Sequence, residues 1–138
     1  MAGVLNKYLM VFIYIWGWVV TIFLKVDGKL VATGAIKIPR KNYKKGVFEK
    51  AGVLRLLNKY KYEAGWIVVS ISHRRKGFST KIVTTLIEEI SNHGCYATTK
   101  ADNVAMHTIF HKTGFEKLGD DYQSQNGDYY LGLFGISS

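Results

Sequence analysis

The sequence predicts a mixed α/β fold of the α+β kind, with a mostly antiparallel central sheet flanked by helices. Three observations carry this. Up to Pro39 the chain is dense in Val, Ile, Phe, Tyr and Trp, residues that suit a pleated, half-buried surface. That stretch is broken at Asp27-Gly28, a strong hairpin signal. Beyond residue 63, strand-like runs alternate with segments of helical apolar spacing.

Taken in order, residues 9–16 read as a first strand and 18–26 as a second, with Gly17 interrupting them as a turn or bulge would. The uncharged run from Tyr8 to Leu24, between Lys7 and Lys25, is just long enough to be a membrane-span candidate. Its composition, Gly17 and the hairpin that follows favour buried strands instead, so no membrane association is expected. No small-residue cleavage site follows it in the manner of a signal peptide. Asp27-Gly28 turns the chain into a third strand, Lys29 to Ile38. Pro39, the only proline, ends it, since proline cannot donate to a central ladder.

Residues 40–62 differ in character. Between Lys37 and Lys61 nine basic residues stand against one acid, Glu49, with Tyr43, Phe48, Tyr60 and Tyr62 interleaved. This reads as a surface excursion, with Ala51 to Leu57 as a short helix. Glu63 to Ser72 is strand-like again, and a basic loop, Arg74-Arg75-Lys76-Gly77-Phe78-Ser79, follows. Ile82, Val83, Leu86, Ile87 and Ile90 then give helical spacing over about Ser79 to His93, with Gly94 as the stop. Cys95 to Lys100 is a short strand, Asp102 or Asn103 caps a second helix running to about Lys112, and Gly114 closes it. Tyr122 to Phe134 reads as a last strand, or a hairpin around Asn126-Gly127. The 138 residues suit one domain spanning the whole chain.

Composition narrows the function. The formal net charge of +9 favours an anionic partner: nucleic acid, an acidic protein or a phosphorylated co-substrate. A single cysteine, Cys95, excludes an intrachain disulfide and a multi-thiolate zinc site; it reads as a small buried residue, and the compartment as reducing and cytoplasmic. His107 and His111 stand four apart on the second helix, a spacing a metal can use. No HExxH surrounds them and no third ligand is obvious, so His73, His93, His107 and His111 read as surface histidines and no metal is expected.

The strand–loop–helix at 63–93 has a physical reading of its own. A helix N-terminus offers unpaired amides and a partial positive charge. Gly77 and the small Ser79 allow close approach by a phosphate, and Arg74, Arg75 and Lys76 add charge. This is an anion cradle suited to a pyrophosphate. It has neither P-loop spacing nor the three-glycine dinucleotide pattern.

The stretch from Ala101 to Phe115, with Asn103, Met106, Ile109, Phe110, Lys112 and Gly114, resembles the second signature of the GNAT superfamily of acyl-CoA N-acyltransferases, roughly N-x-x-A-x-x-L/I-Y-x-K-x-G-F. The loop at 74–79 resembles the first, Q/R-x-x-G-x-G/A. The resemblance spans about 18–134 in element order and is strongest over 63–119. Met106 and the Gly119-Asp120-Asp121-Tyr122 continuation are also similar to small phage and prophage members.

The resemblance implies an N-acetyltransferase that uses acetyl-CoA as co-substrate and passes the acetyl group directly to a primary amine, on a protein or a small molecule. Backbone groups at Ile67, Val68 and Val69 would then hold the pantetheine arm as an added strand does. An amide near Val69 or Ile71 would polarise the thioester oxygen. Arg74, with Arg75, Lys76, Gly77, Phe78, Ser79 and Thr80, would hold the pyrophosphate; Asn103 would contact the arm and Phe110 would pack beside it. Glu63, on the strand fourteen residues before Gly77, stands where some members carry a catalytic glutamate, and reads either as the general base or as a carboxylate solvating the strand edge.

The chain departs from the pattern in three places. Phe110 replaces a tyrosine that protonates the leaving thiolate, which leaves that task to water, to Tyr122 or to Tyr129, or leaves the chain a poor catalyst. Ser79 and Met106 replace smaller residues. The N-terminus has no room for the two helices that most relatives place before their second strand, so the acceptor site is open, built by 40–62, or completed by a second subunit in a homodimer. Two other readings stand beside acetyl transfer: a non-catalytic CoA-binding or regulatory module, and a nucleic-acid-binding or -modifying protein acting through 37–62.

Overall fold

The structure, a computed structural model, describes residues 8–15, 19–90 and 93–137. Strands β1 (Tyr8–Ile15), β2 (Val19–Val26) and β3 (Lys29–Lys37) form an antiparallel meander. Asp27 and Gly28 take φ of 52° and 80°, the left-handed pair that a two-residue hairpin turn needs. The proposed turn at Gly17 lies outside the described residues.

Side-chain alternation decides what each strand buries. Val20, Ile22 and Leu24 on β2 are buried, and Met10 and Phe12 on β1 pack against the same core. Leu9 and Ile13, alternating with them, are exposed. β1 is therefore half-buried rather than buried, because it is an edge strand with one face covered. Among the described residues no helix is long and apolar enough to cross a membrane.

After β3 come helix α1 (Lys41–Lys50), a short 3-10 helix (Leu54–Lys59), β4 (Tyr62–Val69), a 3-10 turn (Ile71–His73), helix α2 (Phe78–Glu89), β5 (Cys95–Lys100), helix α3 (Val104–Lys112), β6 (Glu116–Gln123) and β7 (Tyr130–Ile136). The sheet order is β1-β2-β3-β4-β5-β7-β6, and β4–β5 is the one parallel pair among these strands. This is the mixed, mostly antiparallel sheet expected.

The two faces of the sheet carry separate cores. Cys95 and Ala97 of β5 and Phe134 of β7 join the cluster under α2, with Ile82, Val83 and Leu86. Their neighbours Tyr96 and Leu133 point the other way, into a cluster with Val47, Phe48, Tyr60, Leu118 and Tyr122. Phe48 is fully buried and meets Tyr96 edge-on at 5.2 Å, a geometry aromatic quadrupoles favour.

Segment 40–62 is thus no surface excursion, and its main helix runs over 41–50 rather than 51–57. Its buried pair, Val47 and Phe48, is adjacent rather than three or four apart, so helical periodicity is weak. Strand β6 also starts earlier than expected. Its sequence is polar, Leu118 and Tyr122 alone are buried, and the pairing with β7 shifts register between them.

Candidate functional site

The site begins where β4 leaves β5. The two strands pair only at Tyr62↔Cys95 and Glu63↔Tyr96. Beyond that, β4 stays with β3 through Thr33↔Val68 and Ala32↔Val69, while β5 follows β7. A bulge drives the divergence: Trp66 and Ile67 together oppose the single residue Gly34, with Trp66 at φ 53°. Such bulges bend a strand and increase its twist. Thr33 Oγ1 donates to Trp66 O at 2.9 Å and fixes the bend.

The opening leads into a cleft of about 740 Å³, within the range of small-molecule sites. One wall is Ile67, Val68 and Val69. The floor is His73, Arg74 and Arg75, then Gly77, Phe78, Ser79 and Thr80 at the start of α2. Gly77 is the cap residue at φ 79°, where a side chain would be strained; it offers no side-chain acceptor, and the first turn has no acidic residue. A ligand anion is therefore the natural partner for this helix end. Arg75 also takes a left-handed φ of 63°. Arg74 folds back, its Nε donating to Val69 O at 3.3 Å, so it braces the loop against β4.

The far wall is α3. Asn103 caps it, its Oδ1 accepting from Met106 N at 3.1 Å and its Nδ2 donating to Thr99 Oγ1 at 3.3 Å. Asn103, Ala105, Met106, Ile109 and Lys112 line the cleft. Sequence reasoning did not single out His73, Ala105, Met106, Ile109 or Lys112 as site residues. The signal was present in the 106–109–112 spacing, which places three side chains on the helix face beneath the cap.

Three expected contacts lie elsewhere. Ile71 is 81% exposed, and neither it nor Lys76 lines the cleft. Phe110 is buried in the core, its ring 5.0 Å from Phe115 and 5.1 Å from Phe134. It faces its aromatic neighbours rather than the cleft.

Glu63 sits on the opposite side of the sheet from α2, and is 5% exposed. Its Oε1 lies 3.4 Å from Lys37 Nζ but has no well-aligned hydrogen bond. Burial pushes its carboxyl above the usual glutamate range, with Lys37 and Tyr43 opposing the rise. The hydroxyl of Tyr96, its register partner, is also buried, with no hydrogen-bond partner among the described residues. Burial raises the phenols of Tyr43, Tyr96 and Tyr122, and the charge of Glu63 raises each further. A buried carboxyl with a raised pKa, in the last strand pair before the divergence, is a candidate to take a proton. Cys95 is different: it is fully buried and its thiol is pushed up to about 12, which makes it inert. Among the described residues no three His, Cys, Asp or Glu side chains come together as a metal site would require.

The model of the acetyltransferase (GNAT) family matches residues 7–115. No curated protein matches the sequence. Solved structures do match the fold. The Salmonella typhimurium protein yncA, solved with its cofactor acetyl-CoA, has a TM-score of 0.64 at 17% identity, over 86% of this chain and 64% of that one. A ribosomal-protein-alanine N-acetyltransferase from Brucella melitensis has a TM-score of 0.65 at 20% identity, over 87% and 69%. A GNAT-family acetyltransferase from Streptococcus pneumoniae has 0.62 at 16%, over 87% and 67%. This chain thus spans just under two thirds of the Salmonella protein's length. With the divergent β4–β5 pair, the glycine-capped α2 and a family match over most of its length, the chain belongs to the GNAT acetyltransferase family.

Proposed function

We propose that this chain is an N-acetyltransferase that transfers the acetyl group of acetyl-CoA to a primary amine. The observation that carries the reading is the β4–β5 divergence, which opens a cleft of about 740 Å³ on the α2 side just beyond the strand pair that holds the buried Glu63. The pantetheine arm would lie along Ile67, Val68 and Val69, and the pyrophosphate at Arg75 and the start of α2. The relatives solved with acetyl-CoA or coenzyme A support this assignment.

The chemistry follows from these positions. Glu63 takes a proton from the ammonium form of the acceptor. The neutral amine nitrogen attacks the thioester carbonyl carbon and the C–S bond breaks; the nitrogen gives up its second proton as the amide forms, the departing coenzyme A thiolate takes up one proton through water, and the proton on Glu63 returns to solvent. The liberated thiol gives the assay: acetyl-CoA plus a panel of amines, read with a thiol reagent. Turnover above the amine-free background supports transfer. Binding of acetyl-CoA with no turnover on any amine supports a non-catalytic CoA-binding module, a reading favoured by the burial of Phe110 where the family carries tyrosine.

The cradle gives a separable prediction. Ser79→Glu places a carboxylate in the first turn of α2, where the helix dipole favours it by about 0.3–1 kcal/mol. The free protein is therefore expected to keep or raise its Tm, while the acetyl-CoA-induced rise in Tm disappears. A ligand-induced rise that survives the substitution would place the pyrophosphate elsewhere.

A further inference from the structure

We propose that the start of α1 is a docking surface for single-stranded nucleic acid, held by its phosphate backbone. Binding there is independent of acetyl transfer.

The charge of the chain is concentrated in one segment. Residues 37–61 hold nine of the 19 basic residues and one of the ten acids, so they carry +8 of the net +9. Val47, Phe48 and Ala51 bury the inner face of this segment against the sheet, and the cations are left on the outside. Arg40, Lys41, Lys45 and Lys61 are exposed, and Lys44 is partly so. Two separate stretches meet here. The antiparallel register Lys37↔Glu63 sets Lys61, just before β4, at the same end of the sheet as Arg40 and Lys41, just after β3. Among the described residues none of these five cations is in a salt bridge.

Their placement is unfavourable for the free protein. Arg40 is the cap residue of α1 and makes no side-chain cap bond, and the first turn holds no acid. Cations at this end oppose the helix dipole, and Lys41 and Lys45, four apart, repel each other. The acids of this face stand elsewhere. Glu63 is buried beside Lys37, Glu49 is in the last turn of α1, and Asp120 of β6 donates its N–H to Ala51 O beyond the helix. A bound polyanion relieves both conflicts.

The residue types select the partner. Protein interfaces are depleted in lysine, whereas lysine meets phosphate as a point charge, and such contacts supply sequence-independent affinity for nucleic acid. Ile38 and Tyr43, both exposed, lie among the cations and offer unstacked bases a surface that a duplex cannot use. A flexible strand can also bend around a helix end, which a stiff duplex does not.

The test is fluorescence anisotropy with labelled oligouridylate, a DNA duplex of equal length and polyglutamate as probes. Oligouridylate is expected to bind tightest, and engagement of about four phosphates would weaken it roughly fiftyfold between about 50 and 200 mM salt. Lys41→Gln/Lys45→Gln should bind about tenfold more weakly, with a salt slope shallower by roughly 0.7 per lysine. The same variant should keep or raise the Tm of the free protein, so that the loss is one of contacts rather than of folding. Lys25→Gln/Lys29→Gln, the same change of charge at the β2–β3 hairpin, should bind nearly as the wild type does. No binding of oligouridylate at low salt, an affinity indifferent to salt, tighter binding of duplex or polyglutamate, or an equal loss in both variants would each overturn the proposal.

Discussion

Replacing Glu63 with glutamine is expected to lower kcat for acetyl transfer by roughly 10²–10⁴-fold, the range of a lost general base, with little change in acetyl-CoA affinity. The pH profile should change with it. The folded-state pKa of Glu63 is raised by burial, so in the wild type kcat/KM rises with pH through an inflexion above the ordinary glutamate value. The variant should lose that limb. Stability moves the other way. A carboxyl with a raised folded-state pKa destabilises the fold as pH climbs from its ordinary value through the raised one, because the buried charge forms more readily in the unfolded chain. Glu63→Gln should therefore raise Tm at pH 8 relative to wild type and make no such difference at pH 4. Each kcal/mol gained would appear as roughly 3–5 °C. An unchanged rate with an unchanged pH profile would return Glu63 to a structural role.

Phe48→Ala is expected to cost about 3–5 kcal/mol, the usual loss for a fully buried phenylalanine. Phe48 fixes α1 to the sheet through Tyr96 and Tyr60, at 5.2 and 5.7 Å. Tyr43 and Lys50 ride on the same helix. Urea denaturation should show the loss of stability, and acceptor turnover should fall while acetyl-CoA binding at the α2 cleft persists. If acetyl-CoA binding fell in step with turnover, the two faces would not be separable as described.

The cleft between β4, α2 and α3 was legible because its walls are local in sequence. The loop at 74–79 and the cap at Asn103 each carry their chemistry in consecutive residues, and the helical spacing of Ile82, Val83 and Leu86 survives any reading frame of the sheet. The face of the sheet that carries Glu63 was not legible, because it is assembled by non-local contacts. Val47 and Phe48 sit in a lysine-rich run whose composition signals solvent, and only the apolar groups arriving from β5, β6 and β7 reveal that they are core. Glu63 was singled out by the resemblance, from its spacing to Gly77, but its burial comes from the folded sheet, where it pairs with Tyr96 of β5 and Lys37 of β3. Phe110 was placed beside the cofactor by its motif. In the structure its ring instead completes an aromatic cluster with Phe115 and Phe134, a contact with β7 that the motif does not encode.

The measurement that bears most directly on this account is the thermal unfolding of the wild-type protein across a titration of acetyl-CoA. The account predicts a Tm that climbs with ligand concentration, reaching about 2.7 kcal/mol of stabilisation at a hundredfold excess over Kd, and a climb that Ser79→Glu abolishes. A Tm that stays flat up to millimolar acetyl-CoA would contradict it.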